Sequence, residues 1–199
     1  MVKNFLFKDR DGQTPLPHEL RKGLKIKHIQ TIGELDEYEE QNIVEGLTWL
    51  QSYSGKCVDP QFWNRLHKKL FENVWKWAGE IRDHELHNPD FLRPYEIRPA
   101  LKQLETDIHY WIENKSFSPD EISAHFHERI ETVHPYANGN RRFGRILIEY
   151  FCETNGYRIP IWGKSLKDNP KKRRNTYIST LDSVRKSSDY NPLIHFMFS

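Results

Sequence analysis

Three helix-start signals are spaced along this chain: Thr31 followed by Glu34, Asp59 followed by Pro60, and the run Ser118-Pro119-Asp120-Glu121. At each, a side-chain oxygen can accept an N–H of the first helical turn. Proline at the first helical position loses only an N–H that would have no partner. Each signal opens a run of apolar residues at helical spacing: Leu35, Tyr38, Ile43, Leu47 and Leu50; Phe62, Leu66, Leu70 and Val74; Ile122, Phe126, Ile130 and Val133. Leu101, Leu104, Ile108 and Ile112 keep the same period, as do Phe143, Ile146, Leu147, Tyr150 and Phe151, which stop at Gly156. Tyr177, Ile178, Leu181 and Val184 mark a later helix, and Leu193 with Phe196 a short last one. Nothing alternates like a buried sheet, and no internal repeat is present. The pattern predicts an all-α class.

Two stretches lack the period. Residues 1–30, rich in Pro, Gly and Lys, read as an irregular arm over the surface, leaving 31–199 as one domain. Residues 79–99 are crowded with Pro, Asp and Asn and read as a loop or a short hairpin. Thirty basic residues against 28 acidic ones give a formal charge of +2, no field for gripping a nucleic acid. Cys57 and Cys152 are far apart and lack a CxxC partner, so neither a disulfide framework nor a zinc knuckle is indicated. The N-terminal apolar stretch is too short for a signal peptide and no run is long enough to span a membrane, which points to the cytoplasm.

Chemistry concentrates at the junction of two predicted helices, His134-Pro-Tyr-Ala-Asn138-Gly-Asn-Arg-Arg-Phe-Gly-Arg145. Gly139 and Asn140 stand where a loop becomes a helix, so their N–H groups point outward with the positive end of the helix dipole, a site that suits a phosphate. Arg142 and Arg145, three apart, can both lean toward a longer phosphate chain. His134, at the end of the preceding helix, can accept a proton from an incoming hydroxyl. Pro135 and Tyr136 read as scaffold.

The remaining candidates are weaker. His84, His87, His109 and His125 read as structural or exposed; His127, on the face that carries His134, reads as a buttress. His125 and His127, two apart on a helix, diverge and do not suit zinc. Lys171 to Arg174 reads as a solvated face rather than a nucleic-acid patch, and Trp75-Lys-Trp77 as packing.

The junction resembles the motif H-x-F-x-(D/E)-G-N-G-R-x-x-R of the Fic family, and residues 70–82 are similar to the segment that precedes the family's flap. The layout of the whole chain is similar to the branch called mobile mystery protein B. The resemblance implies a helical bundle with a short β-hairpin flap and transfer of AMP from ATP to a Ser, Thr or Tyr hydroxyl of a target protein. His134 would be the base, Gly139 and Asn140 the anion hole, Arg142 and Arg145 the clamp on the outer phosphates, and residues 80–98 the flap that aligns the target peptide. Asn138 replaces the family's Asp or Glu at the magnesium position; an amide supplies oxygen without charge. Arg141 replaces a glycine, and Doc relatives, which phosphorylate their targets with the nucleotide reversed, carry a cation there.

Two alternatives therefore stay beside AMP transfer: a Doc-like kinase, and a silent nucleotide-binding or interaction protein of the same fold. Family autoinhibitors read (S/T)-x-x-x-E-(G/N); Gln41-Asn-Ile-Val-Glu45-Gly46 misses only the first residue, which makes Glu45 an autoinhibitory candidate. An antitoxin or regulatory partner is implied by the family, and a homo-oligomer is left open.

Overall fold

The computed structural model describes residues 15–86 and 88–199. The chain divides into two compact units.

In its described residues, the first unit comprises 15–82 and the four residues Tyr136–Gly139. It holds α1 (His18–Gly23), α2 (Ile32–Gln51) and α3 (Pro60–Phe71). The starts of α2 and α3 are as the sequence predicts: Thr31 accepts the Glu34 N–H while Glu34 accepts the Thr31 N–H, and Asp59 accepts the Gln61 N–H. Leu35, Ile43 and Leu50 of α2 are buried, as are Phe62, Trp63, Leu66 and Leu70 of α3. α2 and α3 pack closely at Gly46, where an added Cβ would stand 2.7 Å from the Lys69 carbonyl oxygen. Nearby, the Asn42 amide donates to that same carbonyl at 3.2 Å and accepts the Asn73 N–H at 2.9 Å. Gly46→Ala should cost about 1–3 kcal/mol, because backbone and not a flexible side chain blocks the methyl; urea denaturation measures it.

The described part of the supposed arm is packed. Leu16, Leu24 and Ile29 are buried, α1 lies within it, and isolated antiparallel bridges join Pro15 to Thr31 and Leu24 to Trp75. Scattered apolar residues in a Pro- and Lys-rich stretch show no period, yet each finds a partner distant in sequence. Residues 1–14 lie outside the described part.

The second unit, residues 83–135 and 140–199, holds α4 (Pro94–Glu113), α5 (Pro119–Val133), α6 (Asn140–Thr154), α7 (Pro170–Ser187) and α8 (Asn191–Phe198). From Phe143 to Cys152 every residue of α6 is buried, so it is the central helix, with α5 against it. Phe126 of α5 meets Phe151 of α6 edge to face at 5.3 Å. α4 starts well before its apolar run: Pro94 takes the first position, Glu96 accepts the Arg93 N–H at 2.8 Å, and Pro99 is accommodated inside the helix. Pro94 at the first position removes an N–H that has no helical partner, whereas Pro99, the sixth residue, leaves the Tyr95 carbonyl without its i+4 donor and the helix continues past it.

The hairpin is corrected. No strand occurs among described residues 80–93; a turn stands there instead, with the Phe91 N–H on the Asn88 carbonyl at 3.3 Å and the Asp90 N–H on the Asn88 side chain at 3.0 Å. Pro89 and Pro94 donate no ladder bonds, and only four residues lie between them.

Candidate active site

His134 terminates α5 in the left-handed conformation (φ 45°), its N–H on the Ile130 carbonyl at 3.1 Å. That bend turns the imidazole back along the helix, where Nδ1 lies 3.2 Å from the Glu131 carbonyl oxygen. A carbonyl only accepts, so Nδ1 carries the proton and Nε2 the lone pair of the neutral ring. Phe91 stacks on the imidazole at 3.7 Å and 11°. The Leu92 N–H donates to the Thr132 carbonyl at 3.3 Å and ties this aromatic to the end of α5. Phe91 thus orients the imidazole, a contact that its place in an aperiodic stretch does not advertise.

Asn140 opens α6 and is buried; Arg141 and Arg142 in its first turn are partly exposed. Arg145, by contrast, is only 3 % exposed, its guanidinium 5.8 Å from the Tyr177 ring centre. Burial lowers its pKa, while Tyr177, Glu131 and Glu149 favour its charge and Arg142 opposes it. Around it lies a buried polar network. His127 is fully buried with Nε2 2.9 Å from the Tyr177 hydroxyl, and burial followed by Arg145 brings its pKa down to about 3, so the ring is neutral. Glu149 accepts the Trp162 indole N–H at 2.6 Å, and burial raises its pKa to about 7. His127 is therefore a buried buttress beneath the α6 arginines.

The intervening loop, Tyr136–Gly139, belongs to the first unit, and His67 of α3 organises it there. His67 Nδ1 accepts the Gly79 N–H at 2.9 Å, so the proton resides on Nε2, which donates to the Asn138 carbonyl at 3.1 Å. Tyr136 is buried flat against His67 at 3.6 Å, and its hydroxyl donates to Asn64 at 3.0 Å. Gly139 has φ +78°, and a Cβ there would stand 2.8 Å from the Phe71 ring. Glycine is required on both counts. The Asn138 amide oxygen accepts the Gly139 N–H at 2.7 Å. His67 carries no motif; its one sequence signal is its place on the buried stripe of α3 beside Leu66 and Leu70.

Elsewhere, Glu45 is exposed on α2 and accepts the Asn73 amide at 2.6 Å. His84 and His109 are exposed; His125 is half-buried between Tyr190 at 3.7 Å and Phe117 at 4.5 Å; His87 lies outside the described residues. Trp75 is buried and stacks on Trp77 at 4.8 Å. In the basic run, Lys171 and Lys172 are exposed, but Arg173 is not part of a solvated face: it is buried and donates to the Trp162 carbonyl at 2.7 Å and the Ile161 carbonyl at 3.2 Å. No described helix is long and apolar enough to cross a membrane.

A histidine oriented by a carbonyl at the end of one helix is followed in sequence by a glycine-kinked loop and a second helix with arginines in its opening turns. Residues 57–152 match a Fic/DOC family domain. They include this segment. Protein adenylyltransferase VbhT of Bartonella schoenbuchensis is 24% identical over 140 residues, 64% of this chain and 29% of that protein. Probable protein adenylyltransferase Fic of Escherichia coli K12 is 24% identical over 99 residues, 47% of this chain and 50% of that one. The Fic match thus spans between under a third and half of these relatives' lengths. Among solved structures, BepC of Bartonella tribocorum with bound AMPPNP superposes with a TM-score of 0.66 at 21% identity, over 98% of this chain and 94% of that one. The fold is that of Fic domains.

Proposed function

We propose that this chain is a protein adenylyltransferase that moves AMP from ATP to a Ser, Thr or Tyr hydroxyl of a target protein. The observation that carries the reading is His134, whose Nδ1 is committed to the Glu131 carbonyl at 3.2 Å, leaving Nε2 as the proton acceptor. Both curated relatives bear adenylyltransferase names, and a related fold holds an ATP analogue.

His134 Nε2 takes the hydroxyl proton as the target oxygen attacks the α-phosphorus; the bond from that phosphorus to the β-bridging oxygen breaks, and pyrophosphate leaves. Gly139 and Asn140 supply the anion hole by their backbone N–H groups, and Arg141, Arg142 and Arg145 draw the phosphates. The Gly139 N–H now rests on Asn138, and phosphate binding exchanges that bond. The segment 80–93, with backbone groups outside any ladder, receives the target peptide by strand-like pairing. Magnesium arrives as part of the MgATP substrate. Asn138 would meet it with one neutral oxygen, and no group of three or more His, Cys, Asp or Glu side chains among the described residues is arranged for a resident ion. Asn138→Asp should therefore lower the magnesium concentration for half-maximal activity several-fold; an unchanged requirement places Asn138 away from the ion. Glu45, already engaged by Asn73, has the weaker case as an autoinhibitor, and Glu45→Gly should leave self-modification unchanged.

Arg141 favours the second reading, γ-phosphoryl transfer, because a cation at this position suits a reversed nucleotide. ATP labelled separately at the α and γ phosphates separates the two. Label on protein from the α position alone supports AMP transfer, and label from the γ position alone overturns it in favour of a kinase. The reading places the chain in the cytoplasm, with a hydroxyl-bearing protein as partner and an antitoxin-like regulator as the family's further implication.

A further inference from the structure

The mechanism above leaves one buried acid unused. Glu131, on α5 three residues before His134, is 2% exposed. Its Oε1 lies where a Cβ on Gly144 would come within 2.5 Å, so the carboxylate sits directly against the second turn of α6. Among the described residues that oxygen has no hydrogen-bond partner. The groups that face it are His127 from its own helix, Arg141 and Arg145 from α6, and Tyr177 and Arg185 from α7. The Tyr177 hydroxyl, 2.9 Å from His127 Nε2, also forms a hydrogen bond with the Glu131 carboxyl.

We infer that Glu131 is a specificity-determining residue of the proposed nucleotide site: its carboxylate offsets the field of Arg141 and Arg145, and so sets how strongly the site prefers a triphosphate over a monophosphate. The inference rests on the adenylyltransferase reading. An acid buried with an unpartnered oxygen is costly to the fold, so packing alone does not account for it. An anion itself, Glu131 does not hold phosphate and acts through its charge on the neighbouring arginines. Ionised, it repels each phosphate the arginines attract, and the repulsion grows with the number of phosphate charges. Protonated, it leaves the arginines their full pull.

Both states lie within reach of neutral pH. Burial raises the Glu131 pKa to about 7, against the opposing pull of Arg141, Arg145, Arg185 and the Tyr177 hydroxyl. Below that point the carboxyl is neutral and ATP is held tightly; above it the carboxylate weakens ATP selectively.

Calorimetric titration of the full chain and of Glu131→Gln with ATP and with AMP, at pH 6 and pH 8 and fixed free magnesium, tests this. The variant should bind ATP about tenfold tighter than the parent at pH 8, match it at pH 6, and show a smaller gain for AMP at pH 8. Titration of the nucleotide itself cancels in the variant-to-parent ratio. A ratio that is independent of pH, or equal for ATP and AMP, overturns the inference. Should the variant not fold, the parent still decides: the Glu131 carboxyl carbon, followed by NMR from pH 5 to pH 9, should titrate at higher pH with ATP bound, and an unmoved midpoint overturns the proposal. A parent chain that binds no nucleotide overturns the functional reading and this inference with it.

Discussion

His134→Ala is expected to lower transfer by about 10²–10⁴-fold, the usual contribution of a positioned general base, while ATP binding stays within about twofold. The asymmetry follows from geometry. The imidazole is oriented by the Glu131 carbonyl and the Phe91 ring, and in the proposed mechanism it takes the proton of the target hydroxyl and does not hold the phosphates. The proposal assigns binding to the α6 arginines and the loop amides, which the substitution leaves in place. Alanine at a position with φ 45° adds a small strain of about 1 kcal/mol, because alanine gains nothing from a left-handed cap. Thermal melting should therefore shift only a few degrees. Transfer kinetics and equilibrium binding on one preparation check the split: loss of ATP binding equal to the loss of transfer would mean that His134 holds nucleotide instead of moving a proton.

The second large effect concerns the floor of the site. Trp162→Ala should cost about 4 kcal/mol or more, a large part of the stability of a domain this size. Trp162 is fully buried, and its ring lies 4.6 Å from that of His127. Its indole N–H donates to Glu149 and its carbonyl accepts from Arg173. Alanine would leave a cavity and a buried carboxyl without its donor.

The pH dependence has a definite sign. The folded pKa of Glu149 is raised from 4.5 to about 7, so its contribution to stability is complete below 4.5 and is lost as pH rises through about 7. The Trp162 N–H opposes that rise. Without it the loss deepens, and the penalty measured by urea denaturation should be larger at pH 8 than at pH 5. Trp162→Phe should restore most of the packing at pH 5 and less of the stability at pH 8. A Trp162→Ala penalty below about 1 kcal/mol at both pH values would show that this network does not support the fold.

Helices α2, α3, α5 and α6 were legible because cap, period and stop agree locally: Thr31, Asp59 and Ser118 cap as their sequence contexts require, and Gly156 follows α6 with φ +67°. The start of α4 was not, since Pro94 and Pro99 both read as breakers, although Pro94 fits the first helical position and the helix tolerates Pro99. Leu24 before α2 depends on Trp75, far along the chain, and Arg173 is buried by bonds to the Ile161 and Trp162 carbonyls of an aperiodic stretch, which residue type alone does not reveal. In the site, the motif named His134 and the loop glycine. It named neither His67, which pins the loop through the Asn138 carbonyl, nor Glu131, which looks like any helix glutamate until burial is known. Motif residues carry chemistry in their type; the residues that position them carry it only in their contacts.

Intact-mass spectrometry of the protein and of a hydroxyl-bearing target protein, after incubation with ATP and magnesium, bears most directly on the central claim. The account predicts a target mass increased by one AMP, absent when His134→Ala replaces the parent chain. An increase by one phosphate, or an AMP adduct that persists with His134→Ala, would contradict it.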